Sequence, residues 1–556
     1  MRFIPARYVP LAASFVGIFV FAALVPWLGK LATVLCLLCL LLSAIGIWDM
    51  IQTKHSLRRN YPILANIRFM LEEIRPEIRQ YFLESDTDGV PYNRSKRAVA
   101  YQRAKGQLDK RPFGTQLDVY AEDFEWLTHS MAPVEVPSHD FRVTIGGPQC
   151  LQPYSASLLN ISAMSFGSLS ANAIRALNKG AKLGGFAHDT GEGSFSIHHR
   201  EFGGDTIWEI ASGYFGCRNP DGSFCAERFE AQARDPQIKM IEIKLSQGAK
   251  PGHGGVLPGA KVSPEIAAAR GIPVGIDCIS PASHPAFSTP VEMMQFIGEL
   301  RRLSGGKPVG FKLCIGLPNE FMAICKAMQE TGILADFIVI DGSEGGTGAA
   351  PLEFTDHLGT PLREGLAFAH NCLVGMGLRE HVKLGAGGRI ITAFDMARVL
   401  ALGADWCNVA RGFMFALGCV QSLSCHTDRC PTGVATQDPV RQKALIVPDK
   451  AERVRRFHDS TLAALAELIA AAGISHPGQL RRSRIMKRLS PIKVASFADV
   501  YPELAKNEII LGSHDGYYAD VWARSDANSF LPCEPAHSTG NVLQMAASAP
   551  AIAAPV

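Results

Sequence analysis

Between residues 151 and 418 the chain repeats one unit: a short apolar run, a glycine-rich turn and an amphipathic helix. Candidate strands lie at 158–164, 186–189, 240–245, 275–279, 309–314, 337–340, 382–384 and 406–409. Helical periodicity falls between them, as at 171–183, 290–303, 320–331 and 393–402. Eight such units match a TIM (β/α)8 barrel, which takes about 250 residues. A doubly wound open sheet alternates in the same way. The barrel is preferred because residues fit for chemistry follow nearly every strand, and a barrel gathers all eight loops at one face.

Those strand ends read AMSFGS (163–168), HDTGEGS (188–194), KLSQGAKPGHGGVLPGAKV (244–262), DGSEGGTGAAP (341–351), AGGR (386–389) and NVARG (408–412). Glycines ending the last two strands let backbone N–H groups approach a phosphate. Lys312 stands inside an apolar strand. Either it snorkels to a barrel end, or it is a fixed positive charge beside a flavin that becomes negative on reduction.

Just past the eighth strand comes GCVQSLSCHTDRCPTGVATQDP (418–439), with Cys419, Cys425 and Cys430 spaced C-x5-C-x4-C. Its proline, glycine and threonines make it a loop. Three thiolates on such a loop suit an iron–sulfur cluster; buried free cysteines are the plainer alternative. A closed zinc site needs a fourth ligand, and His426 follows Cys425 too directly to share a metal with it. The other eleven of the fourteen cysteines sit largely in apolar runs and read as reduced core residues. A net charge of +3 gives no reason to expect nucleic-acid binding.

Residues 8–51 are almost wholly apolar, broken by Pro26, Gly29 and Lys30. The two halves, near 9–28 and 31–50, are each about long enough to cross a bilayer. A second apolar run where a cleavage site should stand argues against a signal peptide. Arg2 and Arg7 before the hairpin, and Lys54, Arg58 and Arg59 after it, keep both flanks in the cytoplasm. The expected layout is a transmembrane helical hairpin (1–53) in the cytoplasmic membrane, a helical connector (54–150), the barrel with its cysteine loop (151–440), a helical extension (441–524) and a disordered tail (525–556). In the connector, Pro76 should break or kink the amphipathic pattern at 61–82. The basic stretches at 94–105 and 481–490 suit solvent or anionic headgroups.

From about 158 to 437 the chain resembles the FMN-binding synthase domain of glutamate synthase. MSFGS, TGEG, QGAKPGxGGxLPGxKV, DGSEGGTGAAP and above all the cysteine loop stand in that family's order. The resemblance implies FMN on Ala163, Met164, Ser165, Gln247, Lys312, Gly345, Gly346 and Thr347, with its phosphate on Gly387, Gly388, Ala410 and Arg411. It implies a [3Fe-4S] cluster on Cys419, Cys425 and Cys430, and 2-oxoglutarate at Glu192, Lys244, Lys250 and Arg270. Three cations suit a dicarboxylate, the arginine by a bidentate fork. The reaction implied is reductive amination of the 2-oxo acid to glutamate, with Glu192 as the acidic group.

Three departures from the family pattern stand out: Val256 for a glutamine, His253 for an acidic residue and Ser194 for a glycine. No glutaminase domain is expected, so ammonia or an amine would arrive free or from a separate glutaminase subunit. No GxGxxG follows a strand, so electrons are expected from ferredoxin or another donor subunit through the cluster. The alternatives are a related flavoenzyme acting on another amine or carboxylate, and a non-catalytic electron-relay subunit at the membrane.

Overall fold

A computed structural model describes residues 5–512 and 516–533, which form two units, one ending at Arg94 and the other beginning at Ser95. In the first, helices α1 (Val9–Leu28) and α2 (Lys30–Ile51) are joined at Gly29, whose φ of +53° suits a residue without Cβ. Both are long and apolar enough to cross a membrane, and they keep Phe19, Trp27, Leu31 and Leu37 exposed. Small groups bring them together: the Ser14 and Ser43 hydroxyls are 2.9 Å apart, and Gly17 lies against the Cys39 side chain. Helix α3 (Leu64–Ile78) runs through Pro76 instead of breaking there. The proline costs one backbone donor, and the helix loosens into a wider π-type turn only afterwards, over Arg79–Leu83.

The second unit is built on a closed ring of eight parallel strands. They are β1 (Leu159–Ile161), β2 (His188–Asp189), β3 (Thr206–Ile210), β4 (Ile238–Lys244), β5 (Val309–Leu313), β6 (Phe337–Asp341), β7 (Lys383–Gly387) and β8 (Trp406–Val409). The barrel is therefore as expected, but one strand is not. Residues 275–279 do not join it: Cys278–Ile279 pairs antiparallel with Val256–Leu257 in a separate ribbon. The place belongs to TIWEI of β3, where Glu209 interrupts the apolar run. That glutamate points at a lysine inside the barrel.

A hairpin of Arg142–Ile145 and Tyr154–Ser157 closes the N-terminal end of the barrel. Ile145, Tyr154 and Ala156 pack there against Ile207, Met240, Phe337 and Trp406. Chemistry is thus left to the opposite end, where the strands run out into their loops. Helix α4 (Ala171–Gly184) starts where the Ser170 hydroxyl accepts the Ala173 N–H. Along it lies α5 (Val447–Ala471), so close that a Cβ at Gly180 would come within 2.5 Å of Val454.

The basic 481–490 segment is structural: Ile485–Ser490 is the middle strand of a three-stranded sheet. Arg482 is buried and donates to the carbonyls of Tyr501, Pro502 and Leu402. Packing continues past Ser525, where a disordered tail was expected. Ser525 and Ala527 are buried, and the Val291 N–H donates to the Ala527 carbonyl. The remainder of that tail, 534–556, lies outside the described residues.

Candidate active site

Lys312, in the middle of β5, is buried, and its ammonium donates to Glu209 Oε2 on β3 at 2.9 Å. Carboxylate oxygens of Asp189, Glu209 and Glu242, from β2, β3 and β4, lie within 4.8 Å of one another. Among the described residues none donates to Asp189 Oδ2 or to either Glu242 oxygen, so the two acids satisfy each other by sharing a proton. Burial, reinforced by the Glu209 charge, pushes the Asp189 carboxyl up to about 7. Burial and the Asp189 charge raise Glu242 well above the carboxylate range. For Lys312 burial favours the neutral amine, but Glu209, Asp341, Glu242 and Asp189 together overcome it and hold the ammonium charged. The sequence singled out the lysine and missed the three acids; its only signal was charged residues within otherwise apolar strands.

The predicted substrate residues do come together. Glu192 lies on a short turn after β2, and Lys244 ends β4, with Lys244 Nζ 3.1 Å from Glu192 Oε2. Burial opposes the Glu192 charge, yet Lys244, Arg270 and Lys250 keep it below the ordinary carboxylate value, hence ionised. Lys250 donates to the Gly254 carbonyl at 2.8 Å. Arg270 donates to the Phe166 carbonyl at 3.1 Å and stands 5.0 Å over the Phe215 ring, and its Nε has no hydrogen-bond partner among the described residues. Gly255 presses on this carboxylate: a Cβ there would fall 2.6 Å from Glu192 Oε1. Three cations thus surround one carboxylate. Lys244 and Lys312 are register partners on β4 and β5, which puts this cluster beside the barrel lysine.

The predicted flavin residues follow β1, β4, β6, β7 and β8 on the same open face, with Lys312 rising from β5 within it. Their backbones are packed tightly. Gly191 lies against the Met164–Ser165 backbone, and a Cβ at Gly248, after Gln247, would meet the Gly342 carbonyl at 1.7 Å. The Gly248 N–H donates to Asp341 Oδ2 at 2.8 Å. Arg411 reaches across to the Glu344 carbonyl at 2.9 Å, beside Gly346. Glycine-lined loops at Gly345, Gly346, Gly387 and Gly388 together with a buried ammonium fit a phosphorylated flavin.

The cysteine loop leaves the helix Arg411–Leu417 at Gly418, φ +110°. The Cys419 carbonyl accepts the Tyr101 hydroxyl at 2.6 Å, and Lys261 donates to the Cys425 carbonyl at 3.0 Å. Gly348, in the loop after β6, touches the backbone at Cys425. The triad therefore abuts the predicted flavin loop. Burial raises Cys419 to about 12 and also raises Cys425. At Cys430 burial is outweighed by the Thr432 hydroxyl and the N–H groups of Ala435, Thr432 and Val434, which favour its thiolate. Among the described residues the carboxylate trio is the one group of three metal-capable ligand atoms within 4.8 Å. The three sulfurs are more widely spread. A tetrahedral zinc, with Zn–S of about 2.3 Å, would hold them about 3.8 Å apart.

The family model described as "Conserved region in glutamate synthase" matches residues 135–475. The chain belongs to the glutamate synthase family. The glutamate synthase large subunit-like protein YerD of Bacillus subtilis is 39% identical over 489 residues, covering 81% of this chain and 93% of that protein. The archaeal-type glutamate synthase [NADPH] of Thermotoga maritima is 35% identical over 328 residues, 59% of this chain and 61% of that one. The glutamate synthase [NADPH] large chain of Bacillus subtilis is 37% identical over 312 residues, 53% of this chain and 19% of its own length. Among solved structures, a flavocytochrome b2 with pyruvate bound aligns at TM-score 0.40 and 13% identity, over 82% of this chain and 92% of that one. The barrel rests on its own strand pairing.

Within this glutamate synthase barrel the three departures fall around the Glu192 cluster. Val256 is half-buried in the ribbon with Ile279. The His253 ring meets Phe354 edge-on at 5.5 Å, and its Nδ1 donates to the Gly254 carbonyl. Ser194 takes φ +74°, ψ 164°, a conformation suited to glycine.

Proposed function

We propose that this glutamate synthase family member reductively aminates 2-oxoglutarate or a similar 2-oxo dicarboxylate, with nitrogen from ammonia or an amine. What supports this most is the cluster of Lys244, Lys250 and Arg270 around Glu192, set beside the buried Lys312–Glu209 pair. Its net positive charge matches a dianionic acid. The lysines and Arg270 bind and orient the carboxylates; Glu192, ionised at neutral pH, holds ammonium or takes a proton from the nitrogen as it condenses. FMN, when bound, supplies the hydride for the imine carbon. It would be held by Ala163, Met164, Ser165, Gln247, Lys312 and the 345–347 turn, with its phosphate at Gly387, Gly388, Ala410 and Arg411. Lys312 keeps its positive charge and would stabilise the negative charge of a reduced flavin bound beside it. Cys419, Cys425 and Cys430 would hold a [3Fe-4S] cluster fed by ferredoxin or another donor subunit. A separate glutaminase subunit would supply the nitrogen where ammonia is not free, and the α1–α2 hairpin would anchor the chain in the cytoplasmic membrane.

One observation favours a second reading. Val256 offers no amide to an oxo acid, and Ile276 and Ile279 nearby are exposed, which suits an N-substituted amine. Steady-state turnover with 2-oxoglutarate and a panel of amines separates the two. Glutamate formed with ammonium supports the first; rapid product only with a substituted amine supports the second. No product with any amine would overturn both.

A further inference from the structure

We propose that α3 and the turn Arg79–Leu83 lie in the headgroup layer of an anionic bilayer, as an amphipathic collar at the foot of the α1–α2 hairpin. The inference rests on the reading that this hairpin crosses the bilayer.

The start of α3 is tied to the end of α2. Asp49, in the last turn of α2, accepts the Ile63 N–H at 2.9 Å and the Asn66 side-chain amide at 2.5 Å. Arg59 Nε donates to the Met50 carbonyl at 3.2 Å. An α2 that spans the membrane therefore delivers α3 at the level where the hydrocarbon ends.

The exposed face of α3 has the character such a level demands. At about 100° per residue, Leu64, Ile67, Met70, Leu71 and Ile74 fall within an arc about 120° wide. All five are 41–54% exposed. The helix packs into its own unit by another side: Ala65 is buried, and the Phe69 ring meets His55 at 5.4 Å and the Arg58 guanidinium at 4.7 Å. The apolar arc is thus surplus to the packing of this unit. The adjoining turn adds Tyr81, Phe82 and Leu83, with Phe82 82% exposed.

Charge is sorted around the arc. Arg68 and Arg75 flank one edge of it, where long cationic side chains reach phosphates while their stems stay with the apolar face. Glu77 borders the opposite edge, and Glu72 and Glu73 lie well outside the arc. Over Lys54–Leu83 six cations stand against three glutamates. A one-sided apolar stripe edged by arginines, tethered to a membrane span, is the pattern of an interfacial helix on anionic lipid.

The full-length chain, reconstituted in vesicles of phosphatidylglycerol and phosphatidylethanolamine, provides the test. A photoreactive phenylalanine analogue is placed singly at Met70, Ile74 or Phe82, with Glu73 as control. The proposal expects about tenfold more lipid adduct at the first three positions than at Glu73, and less adduct when the vesicles are made of neutral lipid. It is overturned if the chain floats with the vesicles while Met70 and Phe82 crosslink only to protein. A chain that does not float with the vesicles overturns the membrane-anchor reading itself.

Discussion

Lys312 shows how a single side chain gains meaning from what surrounds it. A lysine within an apolar strand is conspicuous in sequence; that Glu209 pins it and that Asp189 and Glu242 face it is not, because those acids come from three other strands. At Lys244, adjacent in register, loss of the charge should be felt in binding. A charge-assisted hydrogen bond contributes about 1.5–3 kcal/mol. Lys244→Met should accordingly raise KM for the oxo acid about 10- to 100-fold in initial-rate measurements. Ser194 adopts a glycine conformation, so Ser194→Gly should raise barrel stability by about 1 kcal/mol, visible as a higher Tm. A lower Tm would show that the serine side chain contributes more than its backbone strain costs.

Among the elements, the buried acids tie β2, β3 and β4 to the lysine of β5, and this makes stability depend on pH. The Asp189 carboxyl titrates near 7 in the folded barrel and near 3.9 in an unfolded chain. Between these values the folded state keeps a proton that the unfolded chain has released. The contribution is full below about pH 4 and is lost as pH rises through 7. Asp189→Asn, a neutral mimic of the protonated acid, should therefore gain stability over the parent at pH 8 relative to pH 5; thermal unfolding at the two pH values measures it. The strand–turn–helix repeat was legible because seven of the eight strands are apolar runs bounded by glycine turns. β3 was not read as a strand, although its internal charge is no more disruptive than Glu242 in β4 or Lys312 in β5; 275–279 took its place because two residues of a separate ribbon look like a short core strand. At Pro76, where a break or a kink was expected, the helix does not break: it runs on past the missing donor and widens only afterwards.

At the scale of the molecule, the cysteine loop lies against the loop after β6 that is predicted to hold the flavin, which supports the proposal that electrons enter there. Cys430→Ala should abolish bound iron by elemental analysis while flavin absorbance persists; zinc without iron in the parent protein would contradict the cluster. The three cysteines and the irregular loop that carries them were legible from the sequence. Its contact with Gly348 was not, because it joins segments about 80 residues apart in the chain and only closure of the barrel brings them together. The measurement that bears most directly on the account is anaerobic single turnover. Purified protein is reduced with dithionite and mixed with 2-oxoglutarate, an amine, or both, while flavin absorbance and products are followed. The account predicts flavin reoxidation and an amino acid product only when both are present. Reoxidation by neither, alone or together, across a panel of oxo acids and amines would contradict it.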